Sequence, residues 1–327
     1  MSGCTEAGKP LIAILMAVYE PRMDWLKVQL DSLEKQTYPN LKLYIRDDCS
    51  STVPFEEIQD CVKSCIHSFP YEIRRNEKNL GSNKTFEQLT KEAEGEYFAY
   101  CDQDDVWLPE KLTVLQEEIE RSRALLVCSD MYIIDGSGKQ VADSITKIRR
   151  RHVFRSGSGL TEDLLISNFV TGCTMLVRKK AARAAIPFCP YMVHDHYIAL
   201  CCSATGEIHS VMRPLIRYRV HGKNQTGVMA GVKDKASYRR ERIDVPLHKF
   251  QWLAQYFPYR EQFQKEISQR MNWMCARQNN WNRHGGASIV WKCRKFSPLA
   301  STFELSARWL PESVLMWIVH LMQKNVI

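Results

Sequence analysis

The amino-acid sequence predicts an α/β fold in which a mostly parallel central sheet is flanked by helices and followed by a helical C-terminal extension. Between residues 10 and 121, apolar runs alternate with segments whose apolar residues recur every three or four positions. Alternation of this kind requires right-handed crossovers, which place helices on both faces of a parallel sheet. Beyond about residue 235 only the helical spacing remains. We therefore expect an N-terminal tail over 1–9, an α/β domain over 10–232 and a helical extension over 233–327.

The composition is that of a folded, water-soluble protein. The chain has 327 residues, of which 45% are hydrophobic and 25% charged, and it is long enough to bury a large core. Its formal net charge of +8 favours anionic partners such as phosphates, nucleic acid or acidic lipid headgroups. Because no recognised nucleic-acid-binding module accompanies that charge, we expect no nucleic acid partner.

Cysteine spacing and hydropathy indicate the compartment. The twelve cysteines include no CxxC pair, and a chain of this length needs no disulfides, so we expect reduced thiols and no zinc site. The longest apolar runs, at 11–18 and 314–322, are shorter than the roughly 18 to 20 residues that span a bilayer. The first run lacks a signal-peptide cleavage pattern and is interpreted as a strand. These observations favour a cytoplasmic protein.

In the first part of the chain the predicted strands and helices alternate. The apolar run at 11–18 is typical of a strand buried on both faces, and the apolar spacing from Trp25 to Leu33 indicates a helix. Proline opens two later helices, where its fixed φ suits the first turn. The further predicted strands lie at 41–47, 71–75 and 96–102, and the further predicted helices at 54–67, 81–94 and 109–121.

The second part of the chain is less regular. A strand within 124–135 followed by the turn DGSGK predicts a hairpin, and the basic, aperiodic stretch at 144–158 is interpreted as a mobile loop. The remaining elements are a helix at 164–168, a strand at 172–178, a helix at 195–203 and strands within 208–220. The last segment, 311–327, has two interpretations: a helix docked on the core, or an interfacial helix on a membrane.

Three acidic residues follow the fourth predicted strand. The segment CDQDDVW places Asp102, Asp104 and Asp105 at the strand end, and ligands of parallel sheets bind beyond the carboxyl ends of the strands. Carboxylates this close repel one another unless water or a cation neutralises them, and Mg²⁺ or Mn²⁺ prefers oxygen ligands. A metal site is therefore one interpretation. A solvated acidic turn that caps the helix starting at Pro109 is the other.

A second acidic pair follows the second predicted strand. Asp47 and Asp48 come directly after LKLYIR, and a turn or helix cap is available as an explanation because Ser50, Ser51 and Thr52 follow. The segment AVYEP ends the neighbouring first strand. Two adjacent strand ends form one crevice, in which a carboxylate can accept a hydrogen bond from a nucleobase.

Taken in order, these motifs resemble those of the family 2 glycosyltransferases, which have the GT-A fold. AVYEP resembles the first-strand nucleotide motif, IRDDCSS the Asp-Asp motif, NEKNLGSN the Asn-x-Gly element and CDQDDVWLPEKL the DxD segment. MVHDHYIALCCSATGEI and RYRVHGKNQ resemble the acceptor-side and late motifs. Several of the motifs are most similar to a bacterial rhamnosyltransferase-like branch. The resemblance covers about residues 10 to 225 and implies a nucleotide-binding half over 10–105 and an acceptor half over 106–232.

The resemblance also implies residue roles. Asp48 would accept from the uracil or thymine N3–H, Tyr19 and Glu20 would line the nucleoside pocket, and Asp195 would be the general base. Cys49 stands where the family often has glycine, and Arg46 precedes the Asp pair. The other implied donor-site residues are Ala17, Asn79, Gly81, Asp102 and Gln103. The implied ligands of a Mg²⁺ or Mn²⁺ ion are Asp102, Asp104 and His221.

Three features have alternative interpretations. Asp195, flanked by His194 and His196 before a helical run, could instead be an N-cap. The basic residues that follow Arg213 would either balance a diphosphate or form a solvated strand edge; they are Arg217, Arg219, His221 and Lys223. The run 149–151 would serve either a flexible loop over the acceptor or an acidic membrane surface.

The sequence therefore predicts a metal-dependent, inverting glycosyltransferase. Its donor is a dTDP- or UDP-sugar, with rhamnose suggested by the branch resemblance, and its acceptor is a glycan or polyprenol-linked molecule of surface polysaccharide synthesis. Peripheral contact with the inner face of the cell membrane is a further hypothesis. A non-catalytic nucleotide-sugar or glycan-binding protein on the same fold is the alternative function, and a nucleotidyltransferase is a third.

Overall fold

In the computed structural model, which describes residues 8–149, 151–221, 229 and 231–323, the chain divides into two units. The first holds the described residues up to Phe188 together with Val193–His221. The second holds Cys189–Met192 and the described residues after His221. Most of the predicted N-terminal tail, residues 1–7, lies outside the described residues, as do Arg150 and the late-motif residues 222–225.

The first unit contains all the described strands and eight labelled helices. The strands are β1 Ile12–Val18, β2 Leu41–Asp47, β3 Tyr71–Arg75, β4 Tyr97–Cys101, β5 Val106–Trp107, β6 Leu126–Ile134, β7 Gln140–Ala142, β8 Met175–Arg178 and β9 Ile208–Arg219. The helices are α1 Met23–Glu34, α2 Phe55–Cys65, α3 Ser82–Glu92, α4 Lys111–Ser122, α5 Ile145–Ile148, α6 Thr161–Leu164, α7 Lys179–Ala184 and α8 His194–Thr205.

The strands form one mixed sheet in the order β3-β2-β1-β4-β8-β6-β9-β5, with β7 paired to β6. Strands β1, β2, β3 and β4 are parallel to one another, and β6 is parallel to β9. Strand β8 runs antiparallel between β4 and β6 and so joins the two parallel groups. The predicted α/β fold with a mostly parallel sheet is confirmed, and so is the predicted hairpin, since β6 and β7 pair antiparallel.

The register of β1 aligns the carboxyl ends of three strands. Val18 lies beside Asp47 of β2, and Met16 lies beside Cys101 of β4. Because all three strands are parallel, the segments that follow them leave the sheet at the same edge. This edge therefore receives the residues after Val18, Asp47 and Cys101, where the sequence carries its acidic motifs.

The continuous apolar run of β1 is explained by burial on both sides of the sheet. Five consecutive residues, Ile12 to Met16, are buried, so both faces of the strand are covered. Helix α1 packs its apolar stripe on one side, where Leu26, Leu30 and Leu33 recur at spacings of four and three. The strand that defines the functional edge is therefore also the centre of the core.

Three local predictions need correction. The predicted strand at 172–178 begins as a 3-10 turn, Gly172–Thr174, and only its second part forms β8. The stretch at 144–158 contains the helical turn α5, which Ser144 caps by accepting from the Thr146 N–H. The predicted helix at 164–168 lies a few residues earlier, as α6. In all three places the backbone follows local hydrogen bonds that apolar periodicity does not report.

The second unit is helical, as predicted. Its helices are α9 Lys235–Arg239, α10 Val245–Tyr256, α11 Gln264–Trp281, α12 Ala287–Lys292, α13 Pro298–Ala307 and α14 Glu312–Gln323. A buried ion pair lies at its centre: the Arg277 guanidinium donates from Nε to Glu304 Oε2 at 2.6 Å, and the Tyr238 hydroxyl donates to Oε1 at 3.0 Å. In the part of the chain that the structure describes, no helix is both long and apolar enough to cross a membrane.

The central position of β1 makes its side chains sensitive to truncation. Ile14 is completely buried, so Ile14→Ala should lower the free energy of unfolding by about 2 to 5 kcal/mol. Val28, on the exposed side of α1, provides the matched control, and Val28→Ala should change stability by less than about 0.5 kcal/mol. Urea unfolding followed by circular dichroism measures both values. Equal losses in the two variants would contradict the assigned core.

Candidate active site

The loop after β1 is tied to the acidic segment after β4. The Gln103 side chain accepts from the Tyr19 N–H at 2.8 Å and donates to the Tyr19 carbonyl at 3.0 Å. These two bonds fix the backbone of residue 19, whose side chain remains exposed, beside the end of β4. Ala17, at the end of β1, is half-buried. Gln103 is therefore placed to join the two segments of the site.

Glu20 organises the neighbouring loop. Its carboxylate accepts from the backbone N–H and hydroxyl groups of Ser51 and Thr52, and its own N–H donates to Ser50 Oγ at 2.8 Å. Hydrogen bonds from the Thr52 hydroxyl and the Ser51 N–H lower the pKa of Glu20 to about 2. The residue has a φ of +44°, an uncommon conformation for a side chain of this size. The ionised carboxylate thus holds the loop after β2 against the loop after β1.

Asp48 holds the Asn-x-Gly loop. Its Oδ1 accepts from Asn76 Nδ2 at 2.7 Å and from the Leu80 N–H at 2.8 Å, and its Oδ2 accepts from the Gly81 N–H at 2.8 Å. The Asn79 side chain accepts from the same Gly81 N–H at 3.1 Å. Asp48 is only 3% exposed. Both of its oxygens therefore accept hydrogen bonds from the protein itself. A nucleobase N–H could bond only to the lone pairs that these bonds leave over.

The other member of the pair, Asp47, is a turn residue. It is completely buried and accepts from the Ser50 N–H at 3.2 Å and the Ser50 hydroxyl at 2.6 Å. Cys49, which occupies the position where glycine was expected, has a φ of +62°. The backbone at this position is therefore in the left-handed region that glycine adopts most easily.

The acidic segment after β4 binds the end of β9. Asp104 Oδ2 lies 2.6 Å from His221 Nε2, and the Asp104 carbonyl accepts from Arg219 Nε at 2.8 Å. Asp105 Oδ1 accepts from the Arg219 N–H at 2.9 Å. The structure thus brings together Asp104 and His221, two of the three implied metal ligands. Arg219 is buried, which corrects the expectation of a solvated edge at this residue, whereas Arg217 is exposed; Lys223 lies outside the described residues.

A second group of side chains lies beneath this segment. Ligand atoms of Asp102, Asp105 and Cys173 lie within 4.8 Å of one another, and Asp105 and Cys173 are buried. Burial and the neighbouring Asp104 charge raise the pKa of both Asp102 and Asp105. Lys111 is also buried and donates to the Cys173 carbonyl at 2.5 Å, with its Nζ 3.0 Å from the centroid of the Trp107 ring. Burial lowers its pKa to about 7.

Sequence analysis missed both Lys111 and Cys173. Lys111 stands in the first helical turn after Pro109, a position that gives no sign of burial, and Cys173 lies in the turn that was predicted as strand. A lysine beside carboxylates within the core supplies part of the positive charge that the acidic cluster needs. A single buried charge cannot be identified from the sequence unless it is known which residues face the core.

The donor atoms fit a hard divalent cation. The segment offers three carboxylates, and carboxylate oxygens are the ligands that Mg²⁺ and Mn²⁺ prefer. Buried Asp105 Oδ2 has no hydrogen-bond donor in the described part of the chain apart from the adjacent Cys173 thiol, so it keeps an acceptor lone pair. The residues that would hold the ion are Asp102, Asp104 and His221, with Asp105 adjacent.

Asp195 lies in the first turn of α8, where Val193 is the N-cap. The N-cap interpretation is therefore wrong for this residue. Its Oδ2 accepts from the Gly172 N–H at 2.8 Å, and its Oδ1 accepts from Asn168 Nδ2 at 3.1 Å and from the His196 N–H. Asp195 is 8% exposed, and burial raises the pKa of its carboxyl to about 6.

The two histidines beside Asp195 have structural contacts. The His194 ring lies 4.1 Å from the Phe86 ring, between centroids, and burial lowers the pKa of His194 to about 3. His196 Nε2 lies 2.6 Å from the Leu164 carbonyl. A Cβ at Gly172 would come within 2.7 Å of His194 Nε2. The absence of a side chain at position 172 is therefore what lets its N–H reach Asp195.

Electrostatic coupling links Asp195 to the acidic segment. Besides burial and Asp104, the Asp195 charge raises the pKa of Asp102. The nearby Arg149 guanidinium opposes the effect of burial on the pKa of Asp195. Arg149, predicted to lie in a mobile loop, is thus close enough to act on the carboxylate implied as general base.

The chain is similar to sugar-transferring proteins. The family model described as Glycosyl transferase family 2 matches residues 14–184, just over half of the chain. The dTDP-rhamnosyl transferase RfbG of Shigella flexneri is 26% identical over 243 residues, which cover 69% of this chain and 77% of the relative. An uncharacterized glycosyltransferase of Nostoc is 26% identical over 61% of this chain, and one of Methanocaldococcus jannaschii is 30% identical over 41%. These two alignments span 62% and 46% of the relatives' lengths, respectively.

Solved structures share the fold. The crystal structure of Staphylococcus aureus TarS 1-349 in complex with UDP-GlcNAc aligns with a TM-score of 0.56 and 15% sequence identity. The alignment covers 95% of this chain and 86% of TarS 1-349. At this identity the likeness shows the GT-A fold alone.

The raised pKa of Asp195 predicts a pH-dependent stability difference for Asp195→Asn. An unfolded aspartate titrates near pH 3.9, whereas the folded carboxyl titrates at about 6, so between these values the native state binds a proton that the unfolded state releases. Wild-type stability therefore falls as the pH rises through this window, and the variant lacks that loss. The free energy of unfolding of Asp195→Asn, relative to that of wild type, should therefore increase by about 2 to 3 kcal/mol between pH 4 and pH 7.

Urea unfolding at pH 4, 5, 6 and 7 measures this difference. Asp60→Asn, which changes an exposed carboxylate on α2, is the control and should give a constant difference from wild type. A constant difference for Asp195→Asn as well would show that burial does not disfavour the ionised carboxylate.

Proposed function

The chain belongs to glycosyl transferase family 2, and from that premise we propose that it is a metal-dependent, inverting enzyme that transfers a sugar from a dTDP- or UDP-sugar. The main support for this proposal is that Asp195 lies close enough to the acidic segment after β4 for its charge to raise the pKa of Asp102. A base and a diphosphate site must be neighbours if an acceptor hydroxyl is to reach the anomeric carbon.

Residues Asp102, Asp104 and His221 would hold a Mg²⁺ or Mn²⁺ ion. When bound, the ion supplies Lewis-acid stabilisation of the negative charge on the departing diphosphate. The loop tied together by Gln103 and Glu20 would enclose the nucleoside, with Tyr19 exposed at its surface. Asp48, Asn79 and Gly81 would support this pocket through the Asn-x-Gly loop.

Asp195 would remove the proton from the acceptor hydroxyl. Its pKa of about 6 leaves the carboxylate ionised at neutral pH while keeping it a stronger base than an ordinary aspartate. The hydrogen bonds from Gly172 and Asn168 fix the direction of its oxygens. Attack from the face opposite the leaving group requires one such carboxylate and inverts the anomeric configuration.

The relatives suggest the substrate class. RfbG is named a dTDP-rhamnosyl transferase, and a further relative is the putative teichuronic acid biosynthesis glycosyltransferase TuaG of Bacillus subtilis, 27% identical over 184 residues. Both names concern bacterial sugars or polymers. We therefore extend the proposal to a rhamnose donor and to a glycan or polyprenol-linked acceptor in surface polysaccharide synthesis.

Release of nucleoside diphosphate in the presence of Mn²⁺ tests the proposal. With a panel of dTDP- and UDP-sugars and glycan acceptors, wild type should release diphosphate from one donor. Asp104→Ala should abolish release, and Asp195→Asn should lower kcat by roughly 10² to 10⁴ because general-base help is lost. The wild-type kcat/KM should rise with pH with a midpoint near 6, since it reports the pKa of the free enzyme and the ionised carboxylate is the active form. Asp60→Asn should retain full activity.

Other results would favour other functions. Donor binding without turnover, with all acceptors tried, would favour a non-catalytic nucleotide-sugar or glycan-binding protein on this fold. Release of pyrophosphate from a nucleoside triphosphate and a sugar phosphate would instead indicate a nucleotidyltransferase.

We also propose a peripheral contact of the second unit with an anionic membrane. Trp291, Trp309 and Trp317 are 50%, 58% and 63% exposed, and indole rings favour the membrane–water interface. The segment 267–303 contains no acidic residue. Its exposed basic residues are Arg283, Lys292, Arg294 and Lys295. Helix α14 also buries Leu315 and Val319 within the second unit, so it docks on this unit while leaving Trp317 outside.

Vesicle binding tests this contact. Wild type should co-sediment with phosphatidylglycerol-containing vesicles and not with neutral ones, because the exposed basic residues are attracted to anionic headgroups. The Trp309→Ala/Trp317→Ala variant should bind about tenfold more weakly, since indole burial contributes to interfacial affinity. Met212→Ala, which removes an exposed apolar side chain from the first unit, is the control. Unchanged binding of the tryptophan variant would refute the assigned surface.

A further inference from the structure

Arg219 connects three parts of the first unit through its backbone and side chain. Its N–H donates to Asp105 Oδ1 at 2.9 Å, its Nε donates to the Asp104 carbonyl at 2.8 Å, and its Nη1 donates to the Asp135 carbonyl at 3.1 Å. The residue is only 4% exposed. Arg219 therefore fixes the backbone of the acidic segment relative to the end of β9 and the turn after β6.

Trp25 packs against both Arg219 and His221. The Arg219 guanidinium carbon lies 4.8 Å from the centroid of the indole, and the His221 ring centroid lies 5.1 Å from it at an interplanar angle of 45°. Trp25 is in the first turn of α1, directly after the AVYEP loop. The Trp25 ring thus contacts both residues that bind Asp104: Arg219, which donates to its carbonyl, and His221, which lies against its carboxylate.

We propose that Arg219 and Trp25 are positioning residues that present Asp104 and His221 as a preformed pair toward a divalent cation. Arg219 holds the Asp104 backbone, and Trp25 limits the orientation of the His221 ring. Without them the imidazole could rotate away from Asp104, and bringing the two groups together would cost binding free energy. The metal-binding part of this inference rests on the proposed function, whereas the positioning of His221 does not.

The inference goes beyond the residues that would touch the ion. Arg219 is buried and donates from Nε and Nη1 to carbonyls, so we assign it a role through Asp104 rather than as a diphosphate ligand. A lysine at this position has one amino group in place of a planar fork and cannot bind both carbonyls with the same geometry. Phenylalanine at position 25 keeps an aromatic face, whereas alanine removes it.

The test uses the full chain with variants Trp25→Ala, Trp25→Phe and Arg219→Lys. The matched control is Arg178→Lys, because Arg178 also donates to two carbonyls, those of Ala124 and Ile119, but lies at the opposite edge of the sheet beside Tyr97. Two readouts are taken. Mn²⁺ affinity is measured by electron paramagnetic resonance without donor, and the His221 ring signals are followed by NMR of histidine-labelled protein, assigned with His221→Gln.

We expect Trp25→Ala and Arg219→Lys each to weaken Mn²⁺ binding by about tenfold and to shift the His221 ring signals. Trp25→Phe should stay within about threefold of wild type, and Arg178→Lys should match it. If Arg219→Lys and Trp25→Ala keep both the Mn²⁺ affinity and the His221 signals of wild type, the inference is overturned. Should Trp25→Ala fail to fold, Trp25→Leu, which also lacks an aromatic face, takes its place, and Arg219→Lys is judged as before.

The two proposals fail in different ways. If wild type binds no Mn²⁺ without donor, a cation site preformed by the protein alone is refuted and the His221 signals alone decide the positioning role. Shifted signals in Arg219→Lys then support it, and unmoved signals overturn it.

Discussion

Repulsion among carboxylates gathered at one edge of the sheet is the constraint on which the rest of the site depends. Parallel pairing of β1 with β2 and β4 brings the strand ends to one edge, and after β4 the charge of Asp104 acts on both Asp102 and Asp105. Like charges at such distances disfavour ionisation and destabilise the fold unless positive groups or N–H donors compensate. This compensation comes from Lys111 of α4, which interacts with the Asp102 and Asp105 charges, and from the Arg219 N–H and the His221 imidazole at the end of β9.

The same chemical group has different properties at different places along this edge. Glu20 accepts from several N–H and hydroxyl donors, which lower its pKa, so it serves as a fixed anion that orders a loop. At Asp195 the effect of burial outweighs the hydrogen bonds from Gly172, His196 and Asn168, so its pKa rises to about 6, as the proposed role of general base would require. Both carboxylates accept two backbone N–H bonds, so burial, which is deep at Asp195 and slight at Glu20, is what separates their pKa values.

The sequence predicted the architecture because burial on both faces of a strand leaves a continuous apolar run, as in β1, and because amphipathic helices keep their spacing. It also located the acidic segment and Asp195, which the structure places in one electrostatic neighbourhood. The 3-10 turn at Gly172–Thr174 was missed because it is held by bonds from Thr174 to the Thr171 carbonyl and by the Gly172 N–H bond to Asp195, 23 residues away in sequence. Lys111, Cys173 and the buried position of Arg219 were missed for the same reason: each depends on contacts between distant segments, which periodicity cannot report.

The close approach at Gly172 limits how this enzyme family member can be redesigned. A Cβ there would lie 2.7 Å from His194 Nε2, so any residue type other than glycine would have to move a buried ring that packs on Phe86 beside Asp195. Combinatorial libraries that aim to change acceptor choice should therefore keep position 172 constant and diversify the exposed loops instead.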